Sequence, residues 1–416
     1  MKKFLLSAIA LFAIGSVSVY AQRTVRCSAQ DYREQQLAAH PEQQAQIDQV
    51  EAQTALFEQQ HPNGYQARTV IVVPVVFHIV YKTAAQNIST ARINEQIQIL
   101  NEDYRKQNAD INLVPAVWQG LAADCEIQFC LAQRDPSGNF TTGIERIQTQ
   151  TASFSINDGV KSTSTGGANS WDNLKYLNIW VCNLTGGLLG YSTFPGAGPG
   201  NLDGCVIGYP YIGKTGATAP YNKGRTCTHE IGHYFNMRHI WADEPACNGS
   251  DLVSDTPNQG PENYGTPTFP HTDACQTASP GVMFMNYMDY VDDGAMFMFT
   301  AGQKTRMWAA INNQRSELLT SDGCTAVGVA EAMLKYSFSI FPSPTAGAFS
   351  LDFGDNRPTN FDVSISNVLG QTIYTHHYEA LTESEIRLDL EGNPAGIYFI
   401  EVRNAKERVT RKIVLN

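Results

Sequence analysis

The sequence predicts an α+β chain in two folded parts: a mixed-sheet domain with packed helices, then a small all-β sandwich. Three observations carry this. The chain has 416 residues, and at roughly 100 to 200 residues per domain that calls for two or three units. An apolar, β-branched run from Val70 to Tyr81 has the character of a central strand, and Ile93, Ile97 and Leu100 follow it at helical spacing. After Cys324 the pattern changes to short alternating runs split by turn residues.

Hydrophobic residues make up 43% and charged ones 17%, which suits a packed core and argues against a disordered chain. Lysine plus arginine total 29 against 40 aspartates and glutamates, a formal charge of -11. That is the wrong sign for a protein that grips phosphates, so nucleic-acid binding is excluded. The acidic surplus suits hard cations or basic substrates where it is not simply a solvated surface.

Lys2 and Lys3 precede an apolar run from Phe4 to Tyr20 that ends in Val19-Tyr20-Ala21. This reads as a secretory signal peptide over residues 1–21, too short for a membrane span of about 20 apolar residues. No later segment is long enough to span a bilayer, so no transmembrane segment is expected. The nine cysteines therefore belong to an oxidising compartment, where pairs are expected. Residues 22–67 are polar, glutamine-rich and helix-favouring, without a core of their own. A folded domain over 68–325 opens with the strand at Val70, and further strands are expected at Cys125–Leu131, Leu177–Asn183 and Cys205–Tyr209, with 186–191 extended beside a loop. Residues 326–416 make a linker and the sandwich, with strands around 338–341, 361–365, 371–374, 396–402 and 408–416.

The chemistry concentrates in His229-Glu230-Ile231-Gly232-His233-Tyr234-Phe235-Asn236-Met237-Arg238-His239. On a helix His229 and His233 project from one face, where two neutral imidazoles can hold one zinc ion. Glu230 stands beside them as a general base for a water that zinc acidifies. His239 can join as third ligand only if the chain turns sharply after Phe235, and Asn236 sits where that turn is required. Asparagine tolerates the left-handed conformation better than most residues.

With these residues the chain resembles the metzincin metallopeptidases, and within them the pappalysin family of ulilysin-like secreted enzymes, over about Thr69 to Cys324. The resemblance implies a two-lobed catalytic domain with a twisted mixed sheet, backing and active-site helices and an irregular C-terminal lobe. It identifies Asn286-Tyr287-Met288-Asp289-Tyr290 with the family's Met-turn, placing Met288 beneath the metal and giving Tyr290 the role of oxyanion donor. Asn236 stands where the family usually has glycine. Asp251, Ser254 and Thr256 are similar to the family's calcium-bearing segment, and the resemblance implies a Cys247–Cys275 disulfide around it. Such a bridge closes a loop of about 30 residues, worth about 3 to 4 kcal/mol of unfolded-state entropy. The other cysteines cannot be paired from sequence, and several lie in apolar strand runs.

The same resemblance implies latency. A leader cysteine, here Cys27, would occupy the zinc position open to water and block catalysis until residues 22–67 are cut away. Ulilysin-like enzymes cut before arginine, which makes Ala67-Arg68 a self-cleavage site. The S1' pocket then needs a carboxylate for the guanidinium, and Asp292 and Asp293 are equally eligible. Leu188 and Gly190 resemble part of the edge segment along the cleft, whose backbone takes an extended peptide substrate as an added strand. Phe341-Pro342-Ser343-Pro344, Gly396-Ile397-Tyr398 and Lys412-Ile413-Val414 resemble the sorting domain of type IX secretion cargo. That implies the type IX machinery as a partner and a secreted or outer-membrane-surface location in a Gram-negative bacterium. The expected function is a zinc endopeptidase made as a latent zymogen and acting on extended protein or peptide substrates on the N-terminal side of arginine. A weakly catalytic metal-binding adhesin, or a zinc amidase acting on cell-wall peptides, is the alternative.

Overall fold

A computed structural model describes residues 24–198, 200–244, 246–326, 338–353, 359–381, 383–404 and 408–416. The signal peptide expected at 1–21 and most of the expected linker lie outside these residues. The chain divides into two compact units between Ala326 and Val327.

The first unit is organised by β1 (Ile71–Tyr81), whose side chains from Val73 to Val80 are all buried. One edge of β1 takes β2 (Ile127–Leu131) and then β3 (Ile144–Gln148), while the other edge takes β4 (Leu177–Cys182), all in parallel. Burial on both faces is why the run has continuous hydrophobicity in place of alternation. β5 (Gly190–Ser192) and β6 (Cys205–Gly208) complete the sheet in the order β2-β1-β4-β6-β5, and β5 is the one antiparallel member, at the edge.

Helices α1 (Ala29–Ala39) and α2 (Gln44–Gln60) belong to the leader. Helix α3 (Thr90–Tyr104) begins where the Ser89 hydroxyl accepts the Arg92 amide. Its buried face is Ile93, Gln96, Ile99, Leu100 and Asp103, so Ile99 is enclosed and the expected Ile97 only half so. After the short α4 (Ala116–Gln119) come α5 (Arg225–Tyr234), buried throughout, and α6 (Ala301–Asn313), buried from Gln303 to Ile311. Between them, the described residues of 235–300 hold no strand or α-helix, only the 3-10 turn Asp293–Ala295. Two disulfides are present, Cys247–Cys275 inside this irregular stretch and Cys130–Cys324 across 194 residues. Cys125, Cys182, Cys205 and Cys227 are buried thiols that pack as small apolar side chains. An even count of cysteines outside the leader thus does not mean that all of them pair.

The second unit has a four-stranded sheet of β9 (Thr359–Asn367), β10 (Thr372–Ala380), β12 (Gly396–Arg403) and β13 (Arg408–Leu415), in the order β10-β9-β12-β13. A three-stranded sheet holds β7 (Ser339–Phe341), β8 (Ala348–Asp352) and β11 (Glu385–Asp389). Phe349, Leu351, Ile386, Val363, Ile365, Ile400 and Ile413 from both sheets share one core, and among the described residues these strands all pair antiparallel.

Candidate active site

Helix α5 places His229 and His233 one turn apart on a single face, with Glu230 next to His229, and the chain then turns at Asn236, whose φ of 69° is left-handed. That turn brings His239 back: His233 Nε2 lies 3.1 Å from His229 Nε2 and 3.0 Å from His239 Nε2. Each ring is aimed by its other nitrogen. His229 Nδ1 donates to the Tyr287 carbonyl at 2.7 Å, His233 Nδ1 to the Met237 carbonyl at 2.7 Å, and His239 Nδ1 to Asp243 at 2.5 Å. Trp241 stacks on His239 at 4.3 Å with 6° between the planes. Burial and the neighbouring rings hold His229 well below its ordinary pKa, and burial pushes His233 down to about 3, keeping both neutral as metal ligation requires.

Cys27 completes the cluster. Its sulfur and one nitrogen from each histidine all lie within 4.8 Å of one another, and no other such group of potential ligands occurs among the described residues. Three imidazoles and one thiol, buried together with their second nitrogens already engaged, are a donor set that fits zinc. Glu230 approaches Cys27 Sγ through Oε2 at 3.5 Å, while its buried Oε1 has no hydrogen-bond partner. Burial pushes the Glu230 carboxyl up to about 8.

Close approach explains two glycines. A Cβ on Gly232 would stand 2.4 Å from Met288 Sδ, so glycine lets Met288 lie directly against the histidine helix. A Cβ on Gly190 would stand 2.9 Å from Glu230 Cγ, so this strand residue presses on the carboxylate. Tyr290 packs against His239 and Trp241, and its hydroxyl donates to the Cys27 carbonyl at 3.1 Å.

The leader runs along the sheet edge. Val25 forms a parallel bridge with Leu188, through Val25 N to Gly187 O at 3.2 Å and Leu189 N to Val25 O at 3.0 Å, and Ser28 N then donates to Gly190 O at 3.1 Å. Arg26 Nη2 meets Asp293 Oδ1 at 3.1 Å. The other oxygen of Asp293 accepts the amides of Lys223 at 2.8 Å and Arg225 at 3.2 Å, at the start of α5. Asp292 is half-buried and contributes its backbone amide to Gly265. Farther along, Glu51 pairs with Arg238 and Arg306, Tyr65 N donates to Thr305, and Ala67 N donates to Glu126.

Loop 251–256 is closed on itself. The Thr256 hydroxyl donates to the buried Asp251 carboxylate, the Val253 amide does likewise, and Ser254 is exposed. Sequence reasoning missed Arg26, Asp243 and Trp241. Arg26 and Asp243 had neighbours as a signal, one beside the leader cysteine and one four residues after the third histidine.

Comparison with known proteins gives the family. Residues 162–312 match the peptidase M43 family model, described as pregnancy-associated plasma protein-A, and residues 339–416 match the secretion system C-terminal sorting domain. A promirolysin mutant of Tannerella forsythia is 46% identical, with a TM-score of 0.66 over 72% of this chain and 97% of that one. Mature mirolysin of the same organism, in complex with a cleaved peptide, is 50% identical, with a TM-score of 0.60 over 61% of this chain and 97% of that one. An extracellular metalloprotease of Pyricularia oryzae is 30% identical across 71% of this chain and 93% of its own length. The chain is thus a secreted zinc metalloprotease with a zymogen form and a type IX sorting tail, and it belongs to the M43 pappalysin family.

Proposed function

We propose that the mature protein is an endopeptidase that cuts extended polypeptides on the N-terminal side of arginine, and that residues 22–67 hold it latent until cleavage at Ala67-Arg68. One observation carries the arginine reading: Asp293, fully buried beside the zinc helix, already binds a guanidinium, that of Arg26. Between the two carboxylates left open by the sequence, this favours Asp293 over Asp292. Arg68 is exposed in a bend just before β1, where a protease can reach it.

His229, His233 and His239 would hold the zinc ion, with Cys27 as the fourth ligand of the latent form. Zinc supplies Lewis-acid polarisation of water and of the scissile carbonyl. Glu230, with one oxygen unengaged, takes the proton of the attacking water and returns it to the leaving amine. Once the leader has gone, the Tyr290 hydroxyl is released from the Cys27 carbonyl and donates to the developing oxyanion. Gly187, Leu188, Leu189 and Gly190 offer the substrate the backbone groups that the leader now uses. Met288 supports the histidine helix from below. For loop 251–256, with Asp251, Ser254 and Thr256, a structural calcium ion rests on family resemblance; the Asp251 and Thr256 side chains bond to each other. The sorting domain suggests export through the type IX machinery, with release or retention at the outer surface.

The test is Glu230→Ala in processed, secreted protein, assayed on peptides with a single arginine, beside the parent treated with a zinc chelator. Loss of cleavage in both is expected. Undiminished cleavage in either overturns the mechanism.

A further inference from the structure

Tyr32, in the first turn of α1, is wholly enclosed, although it lies in the segment whose removal is proposed above. Its ring stands 5.0 Å from that of Tyr191, and both belong, with Phe154, Val160 and Leu188, to an apolar cluster separate from the main core. Its hydroxyl meets the two oxygens of Asp158 at 2.9 and 3.0 Å and receives Lys161 Nζ at 3.2 Å. The polar end of this pocket does not depend on the leader. Lys161 pairs with Asp158 at 2.9 Å and also donates to Leu202 O at 2.7 Å and Thr193 Oγ1 at 3.3 Å. Asp158 itself is held in a left-handed conformation, with φ 60°. Departure of the leader therefore leaves an opening of phenol shape, apolar at its sides, with a fixed acceptor and a fixed donor at its base. A buried ion pair is a weak source of stability, so the pair is poorly explained as packing alone.

We propose that this pocket is a substrate subsite of the mature peptidase that takes a tyrosine side chain on the N-terminal side of the cut bond. The order of leader contacts gives the direction. Arg26 is at Asp293, Cys27 at the histidines and Tyr32 at Asp158, so the two carboxylates lie on opposite sides of the histidine cluster along the leader's path. The leader runs parallel to the edge segment at Leu188. A substrate whose arginine follows the cut bond and enters at Asp293, but which pairs in the opposite sense, sends its preceding residues toward Asp158. The inference rests on the proposed assignment of Asp293 to arginine. It adds a second point of recognition, and it gives Tyr32 the part of a substrate side chain held by the latent enzyme.

The test uses processed, secreted protein and peptides with one arginine after the cut bond. Tyrosine is placed in turn at the second to sixth positions before the bond and compared with phenylalanine and O-methyltyrosine. At one position tyrosine should exceed both in kcat/KM by about tenfold or more, as a charge-assisted hydroxyl contact allows. Asp158→Asn should bring that ratio close to one. If that variant does not fold, the comparison with O-methyltyrosine in the parent decides alone. Cleavage before arginine with no preference for tyrosine at any position overturns this inference and leaves the peptidase reading standing. Cleavage without regard to arginine overturns the assignment of Asp293 and this inference with it.

Discussion

Arg26 and Asp293 form an ion pair in which both side chains are almost completely removed from water, 1% and 0% exposed. Such a pair is retained where geometry matters, because each charge is costly without the other. Asp293 has a second task, since its other oxygen accepts two amides where α5 begins. One carboxylate thus links the guanidinium site to the helix that carries His229, Glu230 and His233. Arg225 fixes the same residue from behind, donating to the Asp293 carbonyl at 2.7 Å while it grips Asp110.

Asp293→Asn should abolish the preference for arginine in mature enzyme, lowering kcat/KM for arginine peptides by about 100-fold or more, the scale of a broken buried charge pair. The same change weakens the start of α5, so a loss of about 1 kcal/mol in stability should accompany it. Asp292→Asn should do neither. A peptide library scored at the residue after the cut, with thermal melts of both variants, separates these outcomes; equal effects of the two substitutions would reject the assignment.

Cys27→Ala should make the precursor measurably active before processing, yet well below the mature enzyme. The thiol is one of several holds: the Val25 and Ser28 backbone bonds, Arg26 on Asp293 and Tyr32 on Asp158 all remain. Adding Arg26→Ala should raise precursor activity further, since it removes the neighbouring buried contact. Rates on a quenched peptide, with the leader shown intact by mass, check both steps. A fully latent Cys27→Ala precursor would count against the thiol as zinc blocker.

The histidine constellation was legible because its geometry is local: one helical turn and one left-handed residue set it. What lay across the chain was not. Asp292 and Asp293 are adjacent carboxylates, and what distinguishes them is far off in sequence: Arg26 in the N-terminal segment and the amides of Lys223 and Arg225 about 70 residues away, at the start of α5. The Cys130–Cys324 bridge spans 194 residues and left no local trace. Helix α6 lacks a readable apolar stripe because it is buried from Gln303 to Ile311, on all sides. Its Thr300/Gln303 capping box was the available signal. In the sandwich, β8 and β11 went unforeseen, although Phe349 and Leu351 alternate inward as strand residues do. Asp158 and Lys161 carry no motif at all; their significance comes from Tyr32, far away in the leader.

Stability should depend on pH through Asp103, buried beneath α5. It accepts from Thr228 Oγ1 and Tyr287 OH, both at 2.8 Å, with Arg225 at 3.6 Å and Asp110 on that arginine's other side. Burial raises its pKa from 3.8 to about 6 in spite of Arg225. The folded carboxyl therefore holds its proton more tightly than the unfolded one. Its contribution to stability is complete below about pH 4, declines as pH rises to about 6, and is flat above, a span of roughly 3 kcal/mol at most. Asp110 works in the opposite sense, since Arg225 holds its pKa below the usual range. Asp103→Asn removes the first dependence only, so the variant should gain stability relative to the parent between pH 4 and 6 and hold that gain above. Denaturant unfolding at three pH values measures this; a difference that does not vary with pH would refute it.

Asn236 offers the sharpest test of how backbone conformation controls the metal site. Its φ of 69° is expensive for a residue with a Cβ, about 1 to 2 kcal/mol for most side chains and little or nothing for glycine. The turn delivers the Met237 carbonyl to His233 Nδ1 and returns His239 to the other two rings, and Arg306 Nε holds the Asn236 carbonyl at 2.8 Å. The Asn236 side chain also reaches Thr54 at 3.4 Å, a contact that the proposed removal of residues 22–67 would break. In mature enzyme, then, only the backbone preference should count. Asn236→Gly is expected to keep metal affinity within about threefold of the parent, whereas Asn236→Ala should lose about tenfold, because the metal-free protein can relax the turn and binding must restore it. Competition with a zinc chelator gives the affinities directly. Equal losses for glycine and alanine would mean that the asparagine side chain, and not its left-handed backbone, brings His239 into place.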